Sequence, residues 1–213
     1  MRYADRTAAG QAVADDLGRL GPLSDPVVLA LPRGGVPVAA AIADRLGVPL
    51  DVILVRKIGA PGHSELAMGA LAMIGERSSV FRNEDILVHL GISEAAFSKA
   101  QVREERELYR RARALDIRTP SLGGATVILV DDGLATGATM QAAAAAARRG
   151  GPKLIIVAVP VGARQAVHAL RRSVDRVICP STPEPFIAVG IAYQDFHQLS
   201  DKETRDLIAA HQQ

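Results

Sequence analysis

At 213 residues the chain suits one domain with a sizeable core, and its 48% hydrophobic but only 3% aromatic content, without Trp, makes aliphatic and alanine packing dominate. A formal net charge of +2 is too near balance to argue for nucleic acid or an acidic membrane as partner. No apolar run is long enough to span a bilayer, residues 1 to 5 do not open a signal peptide, and the lone Cys179 excludes an internal disulfide, so a cytoplasmic protein is expected.

Residues 5 to 20 predict an amphipathic helix with Ala9, Val13, Leu17 and Leu20 on one face, Asp5 as N-cap and Gly21-Pro22 as stop. Arg6 at its start reads as a solvated or structural charge ahead of a ligand contact. After the turn Ser24-Asp25-Pro26, the apolar run Val27 to Leu31 predicts a strand. Pro32-Arg33-Gly34-Gly35 then leads into a helix running through Val38 and Ile42 to Leu46, with Pro37 in its first turn and Gly47 beyond its end. Two consecutive glycines at this corner expose backbone amides, and Arg33 adds a fixed positive charge suited to phosphate. Taken alone, the turn fits a plain tight bend as well.

Leu50 to Val55 predicts another strand, which completes a βαβ unit with a right-handed crossover. The segment Ile58-Gly59-Ala60-Pro61-Gly62-His63-Ser64-Glu65 holds two glycines and little to anchor it, so a mobile loop is expected. His63 and Glu65 suit proton transfer or orientation as well as they suit plain exposed positions. Leu66 to Ile74 and Ser78 to Arg82 flank Gly75-Glu76-Arg77 as a hairpin. Asn83 caps a short helix ending near Gly91, and Ser93 caps a long charged one reaching about Leu115. Pairs such as Glu107 with Arg111 mark a solvated face, and the interleaved Glu104, Glu105 and Glu107 argue against a polyanion site on Arg110, Arg111 and Arg113.

The stretch Val127 to Thr139, VILVDDGLATGAT, organises the rest. A buried-type strand ends in Asp131 and Asp132, and a small-residue turn follows into an alanine-rich helix. Amides converging at a helix N-terminus, with the dipole behind them, make an anion site. Thr136 and Thr139 add hydroxyls, and Gly137 allows close approach to the main chain. Two carboxylates beside such a site would repel phosphate unless they served paired sugar hydroxyls or a Mg²⁺ ion on its water shell. A phosphorylated sugar satisfies both halves. A nucleoside-triphosphate P-loop would need Gly-Lys-Ser/Thr after its glycines, and no Lys occurs here.

Beyond the helix from Thr139 to Arg149, Gly150-Gly151-Pro152 is the stop, Lys153 to Pro160 a buried strand, Ala163 to Arg172 a helix and Asp175 to Cys179 a last strand. Cys179 reads as a structural thiol. Residues 180 to 199 hold Pro180, Pro183 and Pro185 and concentrate Phe186, Tyr193 and Phe196. This cluster either stacks a planar ring or packs the C-terminal segment onto the core. Ser200-Asp201-Lys202-Glu203 is a capping box that opens the last helix.

VILVDDGLATGAT resembles the phosphoribosyl-pyrophosphate (PRPP) motif of the type I phosphoribosyltransferases. The alternation of strands and helices and this resemblance together lead us to expect one doubly wound, mainly parallel α/β domain over 1–213, with 58–82 as mobile loop and hairpin flap and 180–199 plus the termini as a small hood. The resemblance implies Asp131 and Asp132 on the ribose hydroxyls and Ala135, Thr136, Gly137, Ala138 and Thr139 on the 5-phosphate. It implies Arg33, Gly34, Gly35 and Lys57 on the pyrophosphate, so that catalysis rests on Arg33, Lys57, Asp131 and Asp132. Mg²⁺ would be held indirectly by Asp131 and Asp132, through ribose hydroxyls or water. His63 and Glu65 would be loop contacts, and Phe186 and Tyr193 base contacts.

The implied activity is transfer of the phosphoribosyl group from PRPP to a nitrogenous base with release of pyrophosphate, in nucleotide metabolism, by a homodimer without nucleic-acid or membrane partners. Ala135 stands where the hypoxanthine-guanine branch carries an acid, which disfavours that branch. The run from Asp131 to Met140, together with Arg56-Lys57, is closer to the adenine branch, and the acceptor stays open. The rival from another class is a non-catalytic PRPP or nucleotide sensor, although no helix-turn-helix segment accompanies the motif.

Overall fold

Strands that are apolar at every position must be buried on both faces, which places them inside a sheet covered by helices on each side. A computed structural model, which describes residues 2–115, 117–118 and 120–211 but not the side chains of Ser64 and Glu65, has this architecture. In chain order the elements are α1 (Arg6–Gly18), β1 (Pro26–Ala30), α2 (Gly35–Leu46), β2 (Leu50–Ala60), β3 (His63–Ile74), β4 (Arg77–Arg82) and α3 (Glu84–His89). Then follow α4 (Glu94–Leu115), β5 (Thr126–Val130), α5 (Ala138–Arg148), β6 (Leu154–Ala158), α6 (Arg164–Leu170), β7 (Arg176–Ile178) and α7 (Asp201–Ala210).

The seven strands form one sheet in the order β4-β3-β2-β1-β5-β6-β7. The five from β2 to β7 across β1, β5 and β6 run parallel, and β3 and β4 are antiparallel additions at one edge. Alternate residues feed opposite cores. Val28, Ala30, Ile128 and Val130 pack with α1, α2, α4 and α7, while Leu29, Val127 and Leu129 pack with α5 and α6. The expected doubly wound sheet is therefore present.

Helix ends are fixed locally. The Asp5 carboxylate accepts from the Ala8 N–H at 2.8 Å, and Ser200 with Glu203 closes a capping box on α7. Among the described residues no helix is long and apolar enough to cross a membrane.

The chain leaves β1 toward β2 on one side and returns to its other side as β5, so the strand order reverses at β1. Ala30 lies opposite Val130 in the register, which brings the turn after β1 and the turn after β5 together at the C-terminal edge. Open α/β sheets bind ligands at such a reversal.

One expectation is corrected. Residues 58 to 65 are no loop: β2 continues to Ala60 and β3 begins at His63, leaving a two-residue turn at Pro61-Gly62. Ile58 and Ala60 are buried under α4, which supplies the anchor that the local sequence lacks. Register shifts at Ile58/Gly59 and Gly59/Ala60 absorb the irregularity.

Candidate ligand site at the strand reversal

The first corner is the turn Pro32-Arg33-Gly34-Gly35, whose Pro32–Arg33 peptide is cis. Its glycines are required by what lies beneath them. A Cβ on Gly34 would come within 2.1 Å of Asp132 Oδ2, and one on Gly35 within 2.7 Å of the Val130 carbonyl oxygen and 2.9 Å of Asp131 Cα. The acid pair is thus roofed by the β1–α2 turn.

The two acids are held differently. Asp131 Oδ1 accepts the Asp132 N–H at 2.9 Å. Asp132 Oδ2 receives both Nε (2.9 Å) and Nη2 (2.8 Å) of Arg6. Each carboxylate therefore has one oxygen tied to a neighbouring residue and a second that accepts no hydrogen bond from another described residue. Burial, and then the neighbouring Asp132 charge, pushes the Asp131 carboxyl well above the usual carboxylate range. Burial also raises Asp132, and Arg6 opposes that rise.

The second corner follows the acids. Leu134 is buried and bridges to the segment after β6, donating to Val161 O (2.9 Å) and accepting from Ala163 N (2.8 Å). Beyond this anchor Ala135, Thr136 and Ala138 are exposed, and Gly137 takes a left-handed conformation (φ +80°) to start α5. Among the described residues, the amides of 135 to 139 donate to no protein group, and α5 has no side-chain cap. Unpaired amides at a helix N-terminus are able to receive an anion.

Other expected contacts are distributed unevenly. Lys57 is exposed and makes no hydrogen bond or ion pair among the described residues. It stands five positions beyond Val52, the residue opposite Ala30. At about 3.3 Å per residue, β2 therefore carries it roughly 16 Å past the end of β1. Its neighbour Arg56 faces α4 and is bound by Glu104 at 2.6 and 2.8 Å. Arg33 turns toward α4 and α7. It sits 3.6 Å from Asp201 and lines a cleft of about 220 Å³ with Leu54, Arg110 and Arg111. Arg110 and Arg111 both hold Glu107, as the expected solvated face requires, and the hydrogen bond from Arg110 pulls the Glu107 carboxyl down to about 2. His63 is exposed at the hairpin tip, and the side chain of Glu65 lies outside the described residues.

The aromatic cluster is not an open platform. Tyr193 is only 1% exposed, its ring stacks on Phe196 at 5.1 Å, and its hydroxyl donates to the Asp132 carbonyl oxygen. It therefore props the acid loop and offers no face to a base. Phe186 is half-buried against Tyr3, Tyr193 and Val161. Val189, in a single 3₁₀ turn over Val189–Ala192, closes on Gly133, where a Cβ would meet its Cγ1 at 2.5 Å. Cys179 is held against the Ser181 carbonyl, and burial pushes its thiol up to about 11, as a structural cysteine should be.

Sequence reasoning missed Arg6 as the partner of the acid pair. The signal was available: Arg6 heads the buried face carried on by Ala9, Val13 and Leu17, and an arginine on a buried face needs a partner.

The family model for the phosphoribosyl transferase domain matches residues 6–195. Two Mycobacterium tuberculosis proteins, from strains H37Rv and CDC 1551, each named putative phosphoribosyl transferase, are 42% identical over 205 residues. The match takes in 94% of this chain but 45% of each of those proteins, so the chain spans about half the length of these relatives. Among solved structures, TT1426 from Thermus thermophilus superposes with a TM-score of 0.87 and 40% identity, covering 99% of both chains. AQ2163 from Aquifex aeolicus (TM-score 0.53, 11% identity, 87% of this chain and 78% of that one) shares the fold. The chain belongs to the phosphoribosyl transferase domain family.

Proposed function

We propose that the chain transfers the 5-phosphoribosyl group of PRPP to a nitrogenous base and releases pyrophosphate. One observation carries this reading: a pair of acids with one unpaired oxygen each adjoins a run of unpaired amides at a helix N-terminus. A sugar with neighbouring hydroxyls and a 5-phosphate matches both. The base nitrogen bonds to C1 as the C1–O bond to pyrophosphate breaks, so positive charge develops on the ribose ring and negative charge on the leaving group.

Asp131 and Asp132 orient the ring hydroxyls, and negative charge on the pair, which Arg6 favours at Asp132, stabilises the cationic sugar. The amides of 135 to 139 anchor the 5-phosphate, and Arg33, once turned from Asp201, and Lys57, farther along β2, are the cations available to offset the departing charge. Two hard carboxylate oxygens, with no cluster of three metal-ligating side chains among the described residues, suit Mg²⁺ kept largely on its water shell. Held at Asp131 and Asp132, it would supply neutralisation of the pyrophosphate when bound. Phe186 is kept as the candidate contact for the acceptor, since Tyr193 is enclosed.

Incubation with PRPP, Mg²⁺ and a panel of bases, followed by measurement of pyrophosphate, tests the reaction. Base-dependent release supports it, and tight PRPP binding without turnover on any base favours sensing. The double variant Asp131→Asn, Asp132→Asn should weaken PRPP binding by about 100-fold, as loss of two charge-assisted hydrogen bonds implies. Unchanged affinity would contradict the role of the acids.

A further inference from the structure

Arg6 is 126 positions from Asp132, yet the structure makes it the hub of the ligand corner. Its guanidinium spends two N–H groups on one oxygen, Asp132 Oδ2. Nη1 donates to the His197 carbonyl at 2.9 Å, and the group lies over the Phe196 ring with Cζ 3.9 Å from the centroid. The Arg6 side chain is 9% exposed and that of Asp132 15%, so the pair is shielded from solvent. Tyr193 fixes the Asp132 main chain from the other side. Asp132 is therefore held at both ends by the N-terminal helix and by the segment before α7, and Gly34 covers it from above.

We propose that Arg6 is a positioning residue for sugar recognition: by occupying Oδ2 it turns Asp132 so that Oδ1 stands beside the unpaired oxygen of Asp131, and the two oxygens receive adjacent hydroxyls of the ribose. This rests on the function proposed above. The arrangement has a physical logic. A carboxylate with both oxygens unpaired would rotate, and two adjacent anions would push each other apart. Taking one oxygen of each into a fixed hydrogen bond pre-sets the pair, so that little ordering cost falls on binding. The planar guanidinium suits the task because it can serve Asp132, a carbonyl and an aromatic face together.

The test compares ribose 5-phosphate with 2,3-dideoxyribose 5-phosphate, which keeps the phosphate and lacks the hydroxyl pair. Calorimetry gives the affinity ratio in wild type, Arg6→Gln, Arg6→Lys, Asp132→Asn and the combined Arg6→Gln, Asp132→Asn protein. Wild type should prefer ribose 5-phosphate by roughly 30-fold or more, as expected for hydroxyls held by charged acceptors. Arg6→Gln should reduce that ratio at least fivefold while leaving dideoxyribose 5-phosphate affinity within twofold, and Arg6→Lys, which keeps the charge but not the fork, should restore only part of it. Arg6→Gln should add less than twofold once Asp132 is already Asn.

An unchanged ratio in Arg6→Gln overturns the proposal, and so does an equal loss for both ligands, which would show a merely structural fastening. A wild-type protein that binds neither sugar phosphate overturns the functional reading instead. Positioning is then decided by amide hydrogen exchange at Gly34 and Gly35. Arg6→Gln should accelerate it about tenfold and Arg6→Lys should not; no change in either variant overturns the role.

Discussion

At Gly34 and Gly35, after β1, glycine is required because the space is already taken; at Gly137, before α5, it is required because the backbone turns left-handed. The nearest atom to a Cβ on Gly34 or Gly35 would be at 2.1 or 2.7 Å, whereas on Gly137 it would be the Ala166 Cβ at 3.5 Å. Both are strand–turn–helix corners with small residues, at neighbouring strand ends. The first closes over the acid pair and fixes it. The second leaves its amides open to an anion. One glycine turn is packed onto protein and the other leaves its amides unpaired, and only the surrounding packing separates the two cases.

Substitutions should expose this difference. Gly35→Ala drives a methyl group into the main chain of β5 and should cost upward of about 3 kcal/mol in urea unfolding, as overpacking against backbone does. A cost below about 1 kcal/mol would mean that the β1–α2 turn is not seated on the strand end. Gly137→Ala brings a methyl group into ordinary contact with Ala166 and suffers only the left-handed backbone, so its cost should be about 1 kcal/mol. If the Gly137 variant proves the more damaging, the contrast between the corners is inverted.

A third measurement isolates a carboxylate at neither corner. Asp51 is buried at the start of β2, accepts the N–H groups of Val52 and Arg118, and burial raises it to about 6. Its folded pKa lies above the unfolded value, so its stabilising contribution is complete below about pH 4 and is lost as pH rises through 6. Between pH 5 and 7 this amounts to a loss of about 1 kcal/mol, and Asp51→Asn should flatten that part of the stability profile. A variant with the wild-type slope would place the titration elsewhere.

Much of this was legible because the relevant signals are local. Val127 to Val130 are apolar on both faces, Asp131 and Asp132 end the run, and Gly137 opens the next helix, all within a short stretch of chain. Pro32 to Gly35 could be read as a second amide-bearing turn for the same reason. Their contact could not, because it depends on β5 returning beside β1 after a long excursion through the hairpin and α4. The strand character of Ile58 and Ala60 was hidden by Gly59 and Gly62, and by a covering helix that lies far along the chain. Tyr193 looked like a candidate ring platform from composition. It is a strut because Tyr3, Phe196 and the Asp132 carbonyl enclose it, and none of those contacts can be read from its local sequence. Arg33 looked directed at a ligand, and its company of Arg110, Arg111 and Asp201 arises only from the docking of α4 and α7.

The most direct measurement is a crystal structure of the protein soaked with ribose 5-phosphate. The account predicts phosphate oxygens on the amides of 135 to 139 and ring hydroxyls on the unpaired oxygens of Asp131 and Asp132, with Arg6 still bound to Asp132. Sugar phosphate bound elsewhere, or with its hydroxyls turned away from both acids, would contradict it.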